Sequence, residues 1–147
     1  MVVVSAAFLW WWTHRANDQQ LIDELVARVE HGIETKSPDE IMDCIAPDYH
    51  DAMGLSKQDV FRGTMRFVQS PDTVDLSISN ASVEITPPVA TGLFEVRVVI
   101  TQNGRYVDSG PVQVTVQFQK ERRRLSRVWL VKSISAPEIA RQFEDYM

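Results

Sequence analysis

Cysteine is nearly absent. Cys44 stands alone among 147 residues, so no internal disulfide can form, and within a helical stretch it reads as a buried, inert thiol. A cationic excess is absent too. Fifteen Lys and Arg face twenty Asp and Glu, giving a formal net charge of −5 and a pI near 5.1, which sets a general nucleic-acid binder aside. The three histidines are widely separated and form no His-x-x-x-His pattern, so neither a metal site nor a cofactor is expected. There is no glycine-rich phosphate loop and no Gly-x-Ser-x-Gly elbow, which removes two large enzyme classes. Internal repeats and low-complexity segments are likewise missing. At 44% hydrophobic and 24% charged, the chain has the composition of one globular domain with a core.

A hydrophobic run long enough to span a bilayer is also lacking. Residues 1–12 read MVVVSAAFLWWW without a charge, and Thr13, His14 and Arg15 follow. About 12 residues at 1.5 Å each make roughly 18 Å of helix, against about 30 Å of hydrocarbon. A secretory signal would need a cationic start and a small-residue cleavage site, and neither is present. Three adjacent tryptophans point around most of a helix and cannot all face one core. A tryptophan cluster before a cation is how a membrane helix ends, because the indole ring favours the membrane–water boundary. Residues 1–15 are therefore expected to be an apolar membrane anchor, either truncated at its start or short, with Trp10, Trp11, Trp12 and Arg15 at the lipid interface. A core element is the competing reading, on length alone. The expected setting is a single-pass N-terminal anchor with lipid as a partner and residues 16–147 as an extracytoplasmic domain.

Beyond a polar link at 16–20, Leu21, Ile22, Leu25, Val26, Val29 and Ile33 recur at helical spacing, predicting an amphipathic helix over about 18–35. Ser37-Pro38-Asp39-Glu40 predicts a second helix start with Ser37 as cap and Glu40 closing a capping box. Pro47 ends that helix, and 48–54 is a loop or very short strand. Ser56-Lys57-Gln58-Asp59 opens a third helix to about Gln69, with Val60, Phe61, Met65 and Val68 as its buried face and Ser70-Pro71 as its stop.

From Val74 the period changes to two. The apolar phase slips at Ser79-Asn80, which predicts a bulge, since otherwise the buried face would invert. Phe94, Val96, Val98 and Ile100 form a second strand, and Asn103-Gly104 is a hairpin turn because both positions need positive φ. The return strand is interrupted at Ser109-Gly110-Pro111, where the proline has no N–H to donate. A fourth strand covers about 127–134, and Ser135-Ala136-Pro137-Glu138 opens a short terminal helix to Tyr146. Helices followed by long antiparallel strands predict an α+β fold: a strongly curved antiparallel sheet of about four long strands wrapped around N-terminal helices, with a cavity at one end of its concave side.

This order resembles the nuclear transport factor 2-like superfamily, which includes ketosteroid isomerases, scytalone dehydratase, polyketide cyclases and many non-catalytic domains. The resemblance covers about 18–135. It rests on the long first helix, the Pro-Asp-Tyr-His-Asp break, the Leu-Ser-Lys-Gln-Asp-Val-Phe-Arg-Gly helix start and the Arg-Val-Trp-Leu-Val-Lys strand. It implies a cystatin-like cone with a pocket, and frequently a homodimer through the outer sheet face. It implies no particular chemistry, because one scaffold hosts enzymes and binders alike. The stretch at 49–54 is shorter than the corresponding region of family enzymes, which implies a reduced pocket entrance. The apolar start looks like that of membrane-anchored members that serve as docking modules.

Tyr49, His50 and Asp51 are the candidates for chemistry. An enolising or dehydrating site needs a carboxylate or imidazole base and a donor in an apolar pocket. Adjacent residues point different ways, however, so a local turn held by Asp48 and Asp51 is the competing reading. Phe94, Tyr106 and Trp129 are candidates for a ligand pocket, Trp129 being alternatively core. His31 reads as solvated and His14 as interfacial. Lys120, Arg122, Arg123, Arg124 and Arg127 form a basic patch, read as a solvated hairpin tip or as a contact for anionic lipid or an acidic partner. The expected function is a membrane-tethered, non-enzymatic domain that binds a protein partner or a small apolar ligand. The alternative is an isomerase or dehydratase of the ketosteroid isomerase-like type.

Overall fold

A computed structural model describes residues 2–69, 73–123 and 126–136. The elements run α1 (Val2–Glu34), α2 (Pro38–Asp43), α3 (Lys57–Gln69), β1 (Thr73–Thr86), β2 (Val89–Gln102), β3 (Arg105–Asp108), β4 (Val112–Arg123) and β5 (Ser126–Ser135). The expected terminal helix and the stop at Ser70-Pro71 lie outside the described residues.

All the strands form one antiparallel sheet in the order β1-β2-β4-β5, with β3 paired to the end of β2. The α+β architecture with a curved antiparallel sheet is thus as expected, and each sequence irregularity has a physical counterpart. The β1–β2 register shifts between Ser79 and Ser82, so Val74 and Leu76 before the bulge and Ile85 after it all turn inward. Asn103 and Gly104 take φ of 53° and 77°, the left-handed pair that a tight hairpin requires. At the Ser109-Gly110-Pro111 break, Ser109 Oγ accepts from Val98 N–H at 2.9 Å, replacing the carbonyl that the ladder has lost. The return strand is therefore two elements, β3 and β4. A second bulge, at Lys132, lies between the Gln117–Ser133 and Phe118–Val131 pairs.

The core lies between the concave sheet face and the helices. Ile22 and Leu25 of α1 pack with Ile100, Phe118 and Trp129 of the sheet, each side chain contributing roughly 1.5–3 kcal/mol by burial. Cys44 is buried in this core. The exit of α2 closes the outer edge of β5: Ala46 N–H donates to Val131 O at 2.9 Å, and Val131 N–H to Cys44 O at 2.8 Å. The middle of a long edge strand is thereby covered rather than left to pair with another chain.

Two expectations need correction. The polar link at 16–20 is helical, because Ala16, Gln19 and Gln20 are good helix formers and Gln19–Asp23 and Gln20–Glu24 pair at i,i+4. The N-terminal residues thus belong to one helix that runs on through charged turns, and among the described residues no helix is long and apolar enough to cross a membrane. Ser37 makes no side-chain cap. Glu40 turns instead to His31 Nδ1 at 3.1 Å, tying α2 to α1. The Ser56–Asp59 box does form: Ser56 N–H donates to Asp59 Oδ2 at 3.0 Å, and Asp59 N–H to Ser56 Oγ at 3.4 Å.

Candidate functional site

A cavity of about 440 Å³ lies between α3 and the concave sheet, within the range of small-molecule sites. Its floor is Phe94 and Phe118, whose rings meet edge to face with centroids 6.3 Å apart, flanked by Val96, Val98, Val114 and Val116. Leu25, Val26, Val29 and Ile33 of α1 line one wall, and Ile41 and Ile45 extend it. The roof is Val60, Gly63, Thr64 and Phe67 of α3, with Leu55 and Asp59 at its start.

Why a void exists follows from α3. Its apolar residues recur at helical spacing, yet none of its described residues is fully buried. The helix therefore roofs the cavity rather than filling it. The face turned inward also differs from the expected one. Val60 lines the cavity, but Phe61 is 41% exposed, and Gly63, Thr64 and Phe67 occupy the stripe instead of Met65 and Val68. Ranking residues by apolarity passes over a glycine and a threonine. The i, i+4, i+7 spacing of Val60, Thr64 and Phe67 was the available signal.

The Tyr-His-Asp string lies outside the cavity lining. Tyr49 is 4% exposed; its hydroxyl donates to Asp51 Oδ2 at 2.8 Å and accepts from Ile134 N–H at 3.1 Å. Asp51 Oδ1 accepts from Met53 N–H at 2.9 Å and Leu55 N–H at 3.1 Å. Both of its oxygens are thus engaged in holding the loop. Burial, reinforced by the Asp51 carboxylate, pushes the Tyr49 phenol well above its ordinary range, so it stays a neutral donor. His50 is exposed, and its backbone N–H donates to Lys132 O at 3.2 Å. Asp48, held below the usual carboxylate range by the Lys132 ammonium, closes the same loop from outside.

The other candidates separate. Of Phe94, Tyr106 and Trp129, Phe94 lines the cavity. Tyr106 is 72% exposed on β3, and Trp129 is buried with its N–H on Asp18. Lys120 leaves the basic patch by turning inward to Asp18 at 2.7 Å. Arg122 and Arg127 face each other across β4 and β5 and are exposed, whereas the side chains of Arg123, Trp10, Trp11, Trp12, His14 and Arg15, and Arg124 as a whole, lie outside the described residues. Among the described residues no three His, Cys, Asp or Glu side chains cluster as metal ligands, and no buried side-chain nitrogen or oxygen lacks a partner. The residue that sequence reasoning missed is Asp59, the one ionisable group on the described cavity lining. The Ser56 N–H and hydroxyl hold its carboxyl below the usual range, so it is ionised at neutral pH.

No protein-family model and no curated protein matches the sequence. Solved structures do match the fold. A nuclear transport factor 2-like superfamily protein from Salmonella enterica superposes with a TM-score of 0.69 at 12% identity, over 83% of this chain and 92% of that one. A cystatin-like protein of unknown function from Nostoc punctiforme gives 0.62 at 19% identity, over 82% and 90%. A protein provisionally assigned as a dehydratase of the same family, from Streptomyces avermitilis, gives 0.63 at 12% identity, over 82% and 94%. At these identities the likeness is one of fold, and the chain has the cystatin-like fold of the nuclear transport factor 2-like proteins.

Proposed function

We propose that this domain binds a small apolar molecule in the cavity beneath α3 and does not transform it. The observation that carries the reading is the lining itself. Aliphatic and phenylalanine side chains surround the space, and the candidate base and donor of the Tyr-His-Asp string are spent on a loop outside it. A dehydratase, the activity provisionally assigned to one fold neighbour, or an isomerase needs a base with a tuned pKa beside a donor in the pocket. Asp59 is a poor base for that task, because the bonds that hold it ionised also weaken its hold on a proton.

The test uses the space above Gly63, where an added Cβ would meet nothing within 4 Å. Gly63→Phe should fill the cavity and abolish binding of the neutral fluorophore N-phenyl-1-naphthylamine without lowering thermal stability. Unchanged fluorophore binding by that variant, or turnover of a small carbonyl or hydroxyl compound by the wild type, would overturn the reading.

Lipid contact through the N-terminus is a second element of the proposal. The uncharged stretch at 1–12 supports it, as does Leu9, 62% exposed on α1. Co-sedimentation with phosphatidylcholine vesicles, and its loss when residues 1–12 are removed, is the expected result.

A further inference from the structure

Positive charge is unevenly placed in this acidic chain. Residues 120–127, where β4 ends and β5 begins, carry Lys120, Arg122, Arg123, Arg124 and Arg127. Asp18 neutralises Lys120. Arg122 and Arg127 stand directly opposite each other across the two strands, and both are exposed. Like charges so opposed repel. Among the described residues no carboxylate forms an ion pair with either of them.

The strand register relates this pair to α1. Asp18 reaches Lys120 and Trp129, which are partners across β4 and β5, and residues two apart on a strand share a face. Arg122 and Arg127 are therefore on the sheet face that α1 covers, one rung nearer the β4–β5 connection. Farther along α1, Leu25, Val26 and Val29 line the cavity together with Val116 and Val114, which lie on β4 away from that connection. Followed back toward its start, α1 thus heads for the arginine rung and leaves the sheet beside it. Residues 2–17 continue the helix for roughly 24 Å. They include no Asp or Glu, and their one Lys or Arg is Arg15. Ser5, Ala6, Ala7 and Leu9 on this stretch are exposed.

We propose that this end of the molecule docks on an anionic lipid surface, with the leading turns of α1 against the apolar phase and the Arg122–Arg127 rung against the headgroups. The inference rests on the lipid contact proposed above and adds the charge of the lipid and a second element that meets it. Anionic headgroups would relieve the repulsion between the two guanidiniums. An acidic protein could do the same, but it would leave the uncharged, tryptophan-bearing stretch beside them unused, whereas a lipid surface takes both. The chain as a whole is negative, so attraction to an anionic surface has to come from a local patch such as this one.

Co-sedimentation of the full chain with vesicles of phosphatidylcholine alone, and of phosphatidylcholine mixed with phosphatidylglycerol, reads the preference. Affinity should be higher for the mixed vesicles by roughly tenfold or more at low salt, and the difference should shrink as salt is raised. Arg122→Gln combined with Arg127→Gln should cut affinity for the mixed vesicles by roughly tenfold or more. Affinity for phosphatidylcholine alone should stay the same, and the thermal midpoint should not fall. Arg105→Gln, in the hairpin at the opposite end of β2, should change neither affinity. Equal wild-type affinity for the two vesicles, or a preference that survives in the double variant, would overturn the inference and leave the lipid contact in place. Tighter binding of the full chain to soluble polyglutamate than to the mixed vesicles would assign the arginines to an acidic protein and overturn it as well. Failure to bind either vesicle would overturn the lipid contact itself, and this inference with it.

Discussion

Trp129 Nε1 donates a 3.0 Å hydrogen bond to Asp18 Oδ1, joining residues 111 positions apart in sequence. The same oxygen accepts from Lys120 Nζ at 2.7 Å, and the ammonium lies 5.7 Å from the centre of the Trp129 ring. Asp18 is 2% exposed and is the first buried residue along α1 among those whose side chains are described. The carboxylate therefore fixes the point at which the first helix meets the sheet.

Asp18→Ala leaves the indole N–H and the ammonium without their acceptor in a buried setting. Loss of one member of such a pair typically costs about 3–5 kcal/mol, so the variant should unfold at much lower urea. Asp18→Asn keeps a carbonyl oxygen for both donors and should lose less. Urea midpoints for the two variants check the order, and equal midpoints would refute a charged role for Asp18.

Tyr49 and Asp51 form a structural pair, and the predicted effects of removing it are on stability. Tyr49→Phe removes two hydrogen bonds and leaves Asp51 Oδ2 short of a donor, an expected loss of about 1–3 kcal/mol with the binding of apolar ligands unchanged. The raised phenol also makes a pH prediction. The unfolded chain releases this proton at about pH 10 and the folded chain only well above that. Stability from this group is thus fully present below about pH 10 and is lost as pH rises toward the folded value. Alkaline unfolding should shift to higher pH in Tyr49→Phe relative to its own neutral-pH stability.

The acid side belongs to the hairpin. Arg97 grips Asp108 across β2 and β3, with Nε donating to Oδ1 at 3.0 Å, and Gly110 N–H adds a bond to the same oxygen. The Arg97 guanidinium is the main cause that lowers the Asp108 carboxyl to about 2. A depressed carboxyl contributes stability above its unfolded value near 4, and the contribution is lost as pH falls toward about 2. Both side chains face solvent, so the effect on global stability should be small. Carbon-detected NMR titration should show Asp108 ionising near 2, and Arg97→Gln should raise it toward the ordinary range, the Gly110 N–H bond still holding it low.

How much of this was legible depends on whether the cause was local. The bulge after Ser79, the Asn103-Gly104 turn and the Ser109-Gly110-Pro111 break are written in consecutive residues, because phase, φ and a missing N–H are local constraints. The cavity is not local. Parity places Phe94 and Val96 on one face of β2, but no spacing rule gives the distance from that face to α3. The same limit applies to Trp129 and Lys120. A tryptophan read as core or pocket floor, and a lysine read as part of a surface patch, are drawn together by an aspartate in a stretch whose local pattern reads as a polar link. Ser37 shows the reverse case. A good local capping signal lost to a tertiary one when Glu40 found His31.

Two glycines make the sharpest pair of opposite expectations. Gly92 on β2 faces the core, where an added Cβ would overlap the Phe94 ring and come within 3.1 Å of Phe118. The two rings form the cavity floor, so Gly92→Ala must push them apart or bend the strand. Overpacking of this kind costs typically about 1–3 kcal/mol and should also deform the binding site. Gly63 lies mid-helix in α3 with open space around it, and Gly63→Ala removes the entropic cost of glycine in a helix. It should gain up to about 1 kcal/mol while narrowing the cavity by one methyl group. Thermal melts with fluorophore titrations of both variants distinguish the cases: Gly92→Ala should lower both stability and affinity, and Gly63→Ala should raise stability with a modest loss of affinity. If Gly63→Ala instead destabilised the fold, α3 would have to be packed against the sheet, and the cavity that underlies the proposed function would not exist.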